Sequence, residues 1–148
     1  MSEHHASIQW SRDGRDFVYE TYSRQHVLRF GSIALPGNAA PGNIPKTVPP
    51  APGVDPEQAF VAALSSCHML WFLHIACQRK FVVDRYVDEA IGVLAGTWIS
   101  KVTLRPVVSF SGKAPSDEEH RVLHHKAHEK CYIANSVKSE VLVEPSTA

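Results

Sequence analysis

The stretch DPEQAFVAALSSC, residues 55–67, predicts the start of the central helix of the fold. Asp55 can cap the helix, a proline suits its first position, and Gln58 stands three residues after the cap, as a capping box requires. No Asp, Glu, Lys or Arg occurs in residues 59–77. A helix that is apolar nearly all round is typical of one buried on all sides. We expect it to run to about Lys80.

This apolar run is close to the roughly 20 residues that cross a bilayer. It also contains Ser65, Ser66, His68 and His74, which are costly in hydrocarbon. The rest of the chain has patterns of strands and amphipathic helices that need a core to pack on. The sequence therefore predicts a buried helix and no association with a membrane.

The composition predicts one globular domain over residues 1–148, with 44% apolar and 20% charged residues. Fifteen basic and fifteen acidic residues balance, which excludes nucleic-acid binding driven by bulk charge. Three cysteines cannot all pair within one chain, and the first residues lack the pattern of a signal peptide. We therefore expect a reducing, cytoplasmic compartment.

The part of the chain before the central helix predicts three strands and a loop. Residues 7–12 and 16–23 alternate apolar and polar, and Asp13-Gly14 between them predicts a hairpin turn. A third strand is expected around residues 26–35. Residues 36–54 hold six prolines, which fix φ and remove backbone donors, so this segment is predicted to be a loop.

The part after the central helix predicts strands over residues 87–100 and 101–111. Pro106 would make the second of them an edge or bulged strand. The residues from Ser116 to Glu119 form a second capping box, which opens a helix from 117 to about 130. Its apolar stripe is thin, so we expect a surface helix, followed by a strand over residues 139–144. Strands that occur in runs predict an α+β fold.

Cys67 is the first candidate for chemistry because it follows Ser65-Ser66 within the apolar helix. Serine pairs are one place where a long helix kinks or breaks. After such a break Cys67 would lie in the first turn of a new helix, where the dipole favours the reactive thiolate. The alternative is that Cys67 is a small core residue, as most buried cysteines are.

The other two cysteines differ in what they can do. Cys77 lies ten residues beyond Cys67, about 15 Å along a helix, which is too far for a disulfide. We expect Cys77 to be a core residue. If Cys67 has a partner for disulfide formation, that partner is Cys131, at the end of the second helix.

The histidines suggest a competing metal site. His124, His128 and Cys131 share one face of a helix, and a fourth ligand from Cys67 or His68 would complete a transition-metal site. The alternative is a solvated helix that is rich in histidine. The sequence alone leaves both open.

Two segments resemble the OsmC/Ohr family of thiol-dependent organic hydroperoxide reductases. Residues 55–67 are similar to its first cysteine motif, and residues 126–131, KAHEKC, followed by Asn135-Ser136, are similar to its second. Both occur in the expected order, with a strand-rich stretch between them and a strand-rich start. The histidine after Cys67 is typical of the OsmC-like branch.

The resemblance implies an OsmC-like fold, an intertwined homodimer, and a peroxidase without a metal or other cofactor. Cys67 would attack the O–O bond of an organic hydroperoxide and become a sulfenic acid. Cys131 would condense with it to a disulfide, which an external thiol, a dithiol or a lipoylated protein, would reduce. A redox sensor or small-molecule-binding protein of the same fold, without efficient turnover, is the alternative.

The family also uses an arginine, held by a glutamate of the first motif, to keep the reactive cysteine ionised. Glu57 matches that glutamate. Arg29 is the preferred match for the arginine, then Arg24, and Arg12 is a third candidate that we interpret as a turn residue. A helix break near Ser65-Ser66 would let Glu57 and the cysteine face one pocket. An apolar pocket lined by Phe60, Leu64, Met69, Trp71 or Phe72 would favour organic over hydrogen peroxide, and the alternative, more usual for most of these residues, is a place in the core.

Overall fold

The structure, a computed structural model, describes residues 1–148 as an α+β protein with two helices and three small sheets. The predicted fold class is confirmed. Contacts divide the chain into two compact units, Met1–Ala59 and Phe60–Ala148. That the whole chain acts as one domain stays a prediction.

The first unit contains three strands, but they are not the three that the sequence predicts. They are β1 (Ser7–Gln9), β2 (His26–Phe30) and β3 (Ile33–Gly37), which form an antiparallel sheet in that order. The third predicted strand is therefore two strands, joined at Gly31, whose φ of 61° is in the left-handed region.

The predicted hairpin between residues 7–12 and 16–23 is wrong, because residues 16–23 contain no strand. Asp13 and Gly14 do form a turn with positive φ. After this turn the chain is held to the preceding segment by packing of aromatic side chains. The ring of Phe17 lies 5.7 Å from that of Trp10 and 5.0 Å from that of Tyr22. β1 consequently pairs with β2.

The proline-rich segment is a loop, as predicted, apart from the end of β3 and one short 3-10 turn at Pro41–Asn43. Its ends are tied together, since the Asn38 N–H donates to the Val54 carbonyl at 3.1 Å. Gly53 is required at this point, because a Cβ there would lie 2.7 Å from the carbonyl carbon of Gly37.

Helix α1 (Pro56–Gln78) begins at the predicted capping box. The Gln58 N–H donates to Asp55 Oδ1 at 2.7 Å, and the Asp55 N–H donates to Gln58 Oε1 at 3.2 Å. The prediction that α1 is buried on all sides is wrong, because its fully buried residues form one stripe of every fourth residue. Cys77 is exposed, so its predicted place in the core is also wrong. That stripe consists of Leu64, His68, Phe72 and Ala76.

By length and hydropathy α1 could also cross a membrane, with a mean hydropathy of 1.6 in its most apolar window. Helices from the cores of soluble proteins meet the same criterion. The buried stripe of α1 packs here against strands and a second helix of the same chain.

The predicted break near Ser65-Ser66 is also wrong, because α1 is continuous through both residues. The Ser65 hydroxyl donates to Asp88 Oδ2 at 2.5 Å, and Asp88 Oδ1 accepts from the Arg105 N–H at 2.6 Å. The serine thus finds its acceptor on a neighbouring strand and does not compete with the helix backbone. Cys67 therefore lies in the middle of a helix.

The second unit has six strands in two sheets. Two strands were expected between the helices, and four occur there, because the chain turns at residues 89–90 and 96–97 and at Arg105. Pro106 is the first residue of a strand that lies between two others, so the edge alternative is wrong. The pairing of that strand does contain an irregularity, between Val83 and Arg85, as the bulge alternative expects. The strands are β4 (Val82–Asp88), β5 (Ile91–Ala95), β6 (Trp98–Leu104), β7 (Pro106–Ser111), β8 (Glu140–Val143) and β9 (Ser146–Thr147).

The sheet orders are β4-β7-β9 and β5-β6-β8, with β9 and β8 parallel to their neighbours. β8 confirms the strand predicted over residues 139–144, and the short strand β9 follows it. Two apolar clusters form the core, one around Phe72 and Leu123 and the other around Leu64 and Leu104.

Helix α2 (Asp117–Lys130) confirms the second capping box, since Ser116 and Glu119 exchange both hydrogen bonds. Its assignment to the surface is wrong for one face, because His120, Leu123 and His124 are buried there. This face packs on the core of the second unit.

Candidate active site

The structure brings the two predicted reactive cysteines into contact. Cys67 lies half-buried on α1, and Cys131 ends α2 with only 1% of its surface exposed. Both are free thiols, and their side chains lie close enough for Cys67 to raise the pKa of Cys131. The Ala134 N–H also donates to the Cys131 sulfur at 3.4 Å.

The two cysteines differ in their access to solvent. Burial, and next the neighbouring Cys67 side chain, raise the pKa of Cys131 to about 11. At neutral pH Cys131 is consequently a protonated thiol enclosed by protein. Cys67 is the cysteine that a solute can reach.

A groove of about 500 Å³ opens beside Cys67. Its walls are mostly apolar and come from one face of α1 and from the segment that follows Cys131. Trp71 lies edge-to-face with His74 and with Tyr132, at 5.6 Å between ring centroids in both pairs. The lining residues are Ala63, Ser66, Cys67, Leu70, Trp71, His74, Tyr132 and Ile133.

Of the apolar residues expected around the cysteine, only Trp71 lines this groove. Leu64 and Phe72 belong to the core, and Phe60 packs against it. The reason is the period of the helix: residues 64, 68, 72 and 76 face inward, so residues 63, 67, 70, 71 and 74 face the groove.

A row of buried histidines lies between the two helices. His68 Nε2 is 3.0 Å from His124 Nδ1, and His124 Nε2 is 3.2 Å from His120 Nε2. The rings of His68 and His124 stack, with an angle of 4° between their planes. The Nδ1 atoms of His68 and His128 are buried without hydrogen-bond partners.

These imidazoles are held in their neutral form. Burial, and next the nearby His128, lower the pKa of His68 to about 4. Burial, followed by His68 and His120, lowers the pKa of His124 to about 3. Burial also lowers the pKa of His120, and Asp117 opposes that effect. The row thus joins α1 to α2 through neutral hydrogen bonds.

This geometry does not support the metal site suggested by the His-x3-His-x2-Cys spacing. Both ring nitrogens of His124 already contact other histidines. No group of three or more His, Cys, Asp or Glu side chains is arranged to hold a metal ion. The interpretation of α2 as a solvated histidine-rich helix is equally wrong for its buried face.

Glu57 and the candidate arginines all belong to the first unit. One carboxylate oxygen of Glu57 is buried without a hydrogen-bond partner. Because α1 is unbroken, the expected kink that would turn Glu57 and Cys67 toward one pocket is absent. The role of Glu57 stays a prediction.

The three arginines make different local contacts. Arg24 donates to the carbonyls of Tyr22 and Tyr19 at 2.6 and 2.8 Å and stacks on the Tyr22 ring. Arg29 is exposed on β2 and donates to Gln9. Arg12 donates to the carbonyl of Arg15 at the turn, in agreement with its interpretation as a turn residue. Which arginine serves Cys67 stays a prediction.

Two features of the site were missed from the sequence. The histidine row was overlooked because His120 and His124 count as polar in any hydropathy pattern. Their spacing of four residues, in phase with Leu123 and Ala127, was the available signal. Tyr132 was not singled out as a site residue, although it forms a wall of the groove.

The comparisons with known proteins show the family of the chain. Residues 49–146 match the family model described as OsmC-like protein. The chain therefore belongs to the OsmC-like family. No curated protein matches the chain.

A solved OsmC-like protein of unknown function from Vibrio cholerae is 43% identical, with a TM-score of 0.90 over 99% of this chain and 100% of that one. An organic hydroperoxide resistance protein from Legionella pneumophila is 21% identical, with a TM-score of 0.63 over 100% and 98%. The organic hydroperoxide resistance protein OhrB of Bacillus subtilis is 17% identical, with a TM-score of 0.60 over 99% and 98%. The two more distant likenesses concern the fold alone.

Proposed function

We propose that the protein is a thiol peroxidase that reduces organic hydroperoxides to alcohols. The observation that carries the proposal is the proximity of an accessible thiol, Cys67, to a buried thiol, Cys131. A thiol pair in contact needs only a small movement to become a disulfide. Two structural neighbours are organic hydroperoxide resistance proteins, which supports the same chemistry.

In the first step the Cys67 thiolate attacks the outer oxygen of R–O–OH. A sulfur–oxygen bond forms, the O–O bond breaks, and the leaving alkoxide takes a proton to become R–OH. The sulfur loses two electrons and becomes a sulfenic acid. The apolar groove beside Cys67 fits the organic part of the substrate.

In the second step the Cys131 sulfur attacks the sulfenic sulfur of Cys67. A disulfide forms, and the hydroxyl group leaves as water with the proton of the Cys131 thiol. A dithiol or lipoylated protein then reduces the disulfide through a mixed disulfide. Because Cys131 is buried and Cys67 faces the groove, we propose that the external thiol attacks Cys67.

We further propose a homodimer in a reducing cytoplasm. The three-stranded sheet of the first unit exposes Ile8, Phe30, Ile33 and Leu35. Contiguous apolar surface of this kind marks an interface with another chain. The three free thiols suit a reducing compartment.

Turnover with a dithiol reductant tests the function. We expect steady consumption of an organic hydroperoxide by the wild-type protein and none by Cys67→Ser. Cys131→Ser should undergo one oxidation and then over-oxidise at Cys67. Cys77→Ser is the matched control, because Cys77 is exposed on the same helix and outside the groove.

Mass spectrometry after one equivalent of hydroperoxide should find a Cys67–Cys131 disulfide. Full activity in Cys67→Ser would overturn the proposal. Oxidation that stops after one equivalent, with dithiol present, would instead indicate a redox sensor of the same fold.

A further inference from the structure

Buried histidines connect the two helices that carry the reactive cysteines, and they take no part in the proposed reaction steps. His68 follows Cys67 directly on α1. His124 lies on α2, seven residues before Cys131, which is about two helical turns and about 10 Å along the axis. Residues seven apart share a helix face. His124 and Cys131 accordingly both point into the core, with 2% and 1% of their surfaces exposed.

The hydrogen bonds of this histidine row fix how α2 lies on α1. His68 Nε2 is 3.0 Å from His124 Nδ1, and the two rings stack with 4° between their planes. Burial lowers the pKa of both rings, so both are neutral near pH 7. A neutral imidazole has one donor and one acceptor nitrogen, and His124 uses both, toward His68 and His120. Sliding or rotating α2 would break these bonds inside the core, where an unpartnered polar atom is costly.

A disulfide needs closer placement than apolar packing alone provides. The Cβ atoms of its two cysteines lie about 3.8 Å apart, within a range of only about 1 Å. Apolar contacts are not directional, whereas a buried polar pair can fix the register of packed helices. Phe72, which stacks on His124 with 4.2 Å between ring centroids, supplies apolar contact without such direction.

We propose that the hydrogen bond between His68 and His124 holds Cys131 within reach of Cys67, so that disulfide formation outruns over-oxidation of Cys67. The inference rests on the proposed function and concerns its second step. Both histidines are positioning residues, which act through the placement of α2 and do not react themselves. Loss of the bond should slow the attack of Cys131 on the sulfenic sulfur and leave the first step, at the accessible Cys67, unchanged.

Equilibration with glutathione measures this placement without any peroxide. Oxidised glutathione takes two electrons and two protons from the thiol pair, and the equilibrium with the Cys67–Cys131 disulfide gives the effective concentration of one thiol at the other. In a Cys77→Ser parent protein, His68→Leu should lower this concentration about 10-fold or more. His68→Gln, whose amide can replace the imidazole Nε2, should stay within about 3-fold of the parent. His125→Leu is the matched control, because His125 is exposed on α2 and should leave the value unchanged.

Single-turnover oxidation then assigns the effect to the second step. With excess cumene hydroperoxide, Cys67 of the His68→Leu protein should form sulfenic acid at the parent rate. The fraction that ends as sulfinic acid instead of disulfide should rise, and His68→Gln should restore the parent fraction. A histidine that only stabilised the fold would leave this fraction unchanged in every variant that urea unfolding shows to be folded.

The outcomes separate this inference from the proposed function. An effective concentration that is equal in His68→Leu and the parent, or lowered equally in His68→Gln, would overturn the inference and leave the peroxidase standing. A loss that His68→Gln restores, without any reduction of hydroperoxide, would uphold the positioning and overturn the peroxidase. Should His68→Leu not fold, His124→Leu removes the same hydrogen bond from α2 and should give the same loss.

Discussion

Mild acid should destabilise this protein, because its core contains neutral histidines. The pKa of His68 is about 4 and that of His124 about 3 in the folded chain, against about 6.5 in the unfolded chain. As the pH falls below 6.5 the unfolded state takes up protons that the folded state does not. Stability is therefore present above pH 6.5 and is lost as the pH falls toward 4.

The size of the effect follows from these pKa values. A group that titrates at 6.5 when unfolded and about 4 when folded costs about 2 kcal/mol of unfolding free energy between pH 7 and pH 5. His124 adds a similar amount over the same range, so we expect a loss of about 4 kcal/mol. Most carboxylates remain ionised above pH 5, so their contribution in this window is small.

Urea unfolding at fixed protein concentration, from pH 7 to pH 5, measures this loss. His68→Gln removes one of the two groups and should halve the change to about 2 kcal/mol, whatever its stability at pH 7. His74→Gln is the matched control, because His74 is an exposed histidine on the same helix, and its curve should parallel that of the wild-type protein. A wild-type stability that is constant from pH 7 to pH 5 would refute the reasoning.

Three further substitutions test the fold around the site by urea unfolding. Ser65→Ala should lower the free energy of unfolding by about 1 to 2 kcal/mol, because it leaves one carboxylate oxygen of the half-buried Asp88 without its donor. An unchanged midpoint would mean that this hydrogen bond does not form in solution. Ser116→Ala should cost about 1 kcal/mol by removing the capping box of α2, and a loss of helical circular dichroism should accompany it. Gly92→Ala should cost about 1 to 3 kcal/mol, because its Cβ would lie 2.5 Å from Val61 Cγ2, and equal stability would show that Val61 can move aside.

Local signals explain which elements were predicted correctly. The capping boxes at Asp55 and Ser116 were predicted because each is complete within four residues. The proline-rich loop follows from the fixed φ of its residues. The two cysteine motifs pointed to one site, and the structure brings Cys67 and Cys131 into contact.

Long-range contacts explain the errors. Residues 16–23 alternate as a strand should, but alternation does not say which strand will pair, and aromatic packing of Phe17 on Trp10 prevails. The serine pair in α1 is compatible with either a broken or a continuous helix. The helix is continuous because the Ser65 hydroxyl donates to Asp88, 23 residues away. A hydrogen-bond acceptor on a distant element of the chain leaves no pattern in the sequence around its donor.

The sequence by itself thus determined the α+β class, the positions of both helix starts and the cysteines that carry the proposed chemistry. Only the tertiary structure decided the pairing of β1 with β2, the continuity of α1 and the burial of His68, His120 and His124. It also decided which face of α1 lines the groove beside Tyr132. Capping and backbone restriction act within a few residues, whereas burial and strand pairing depend on segments that meet only when the chain has folded.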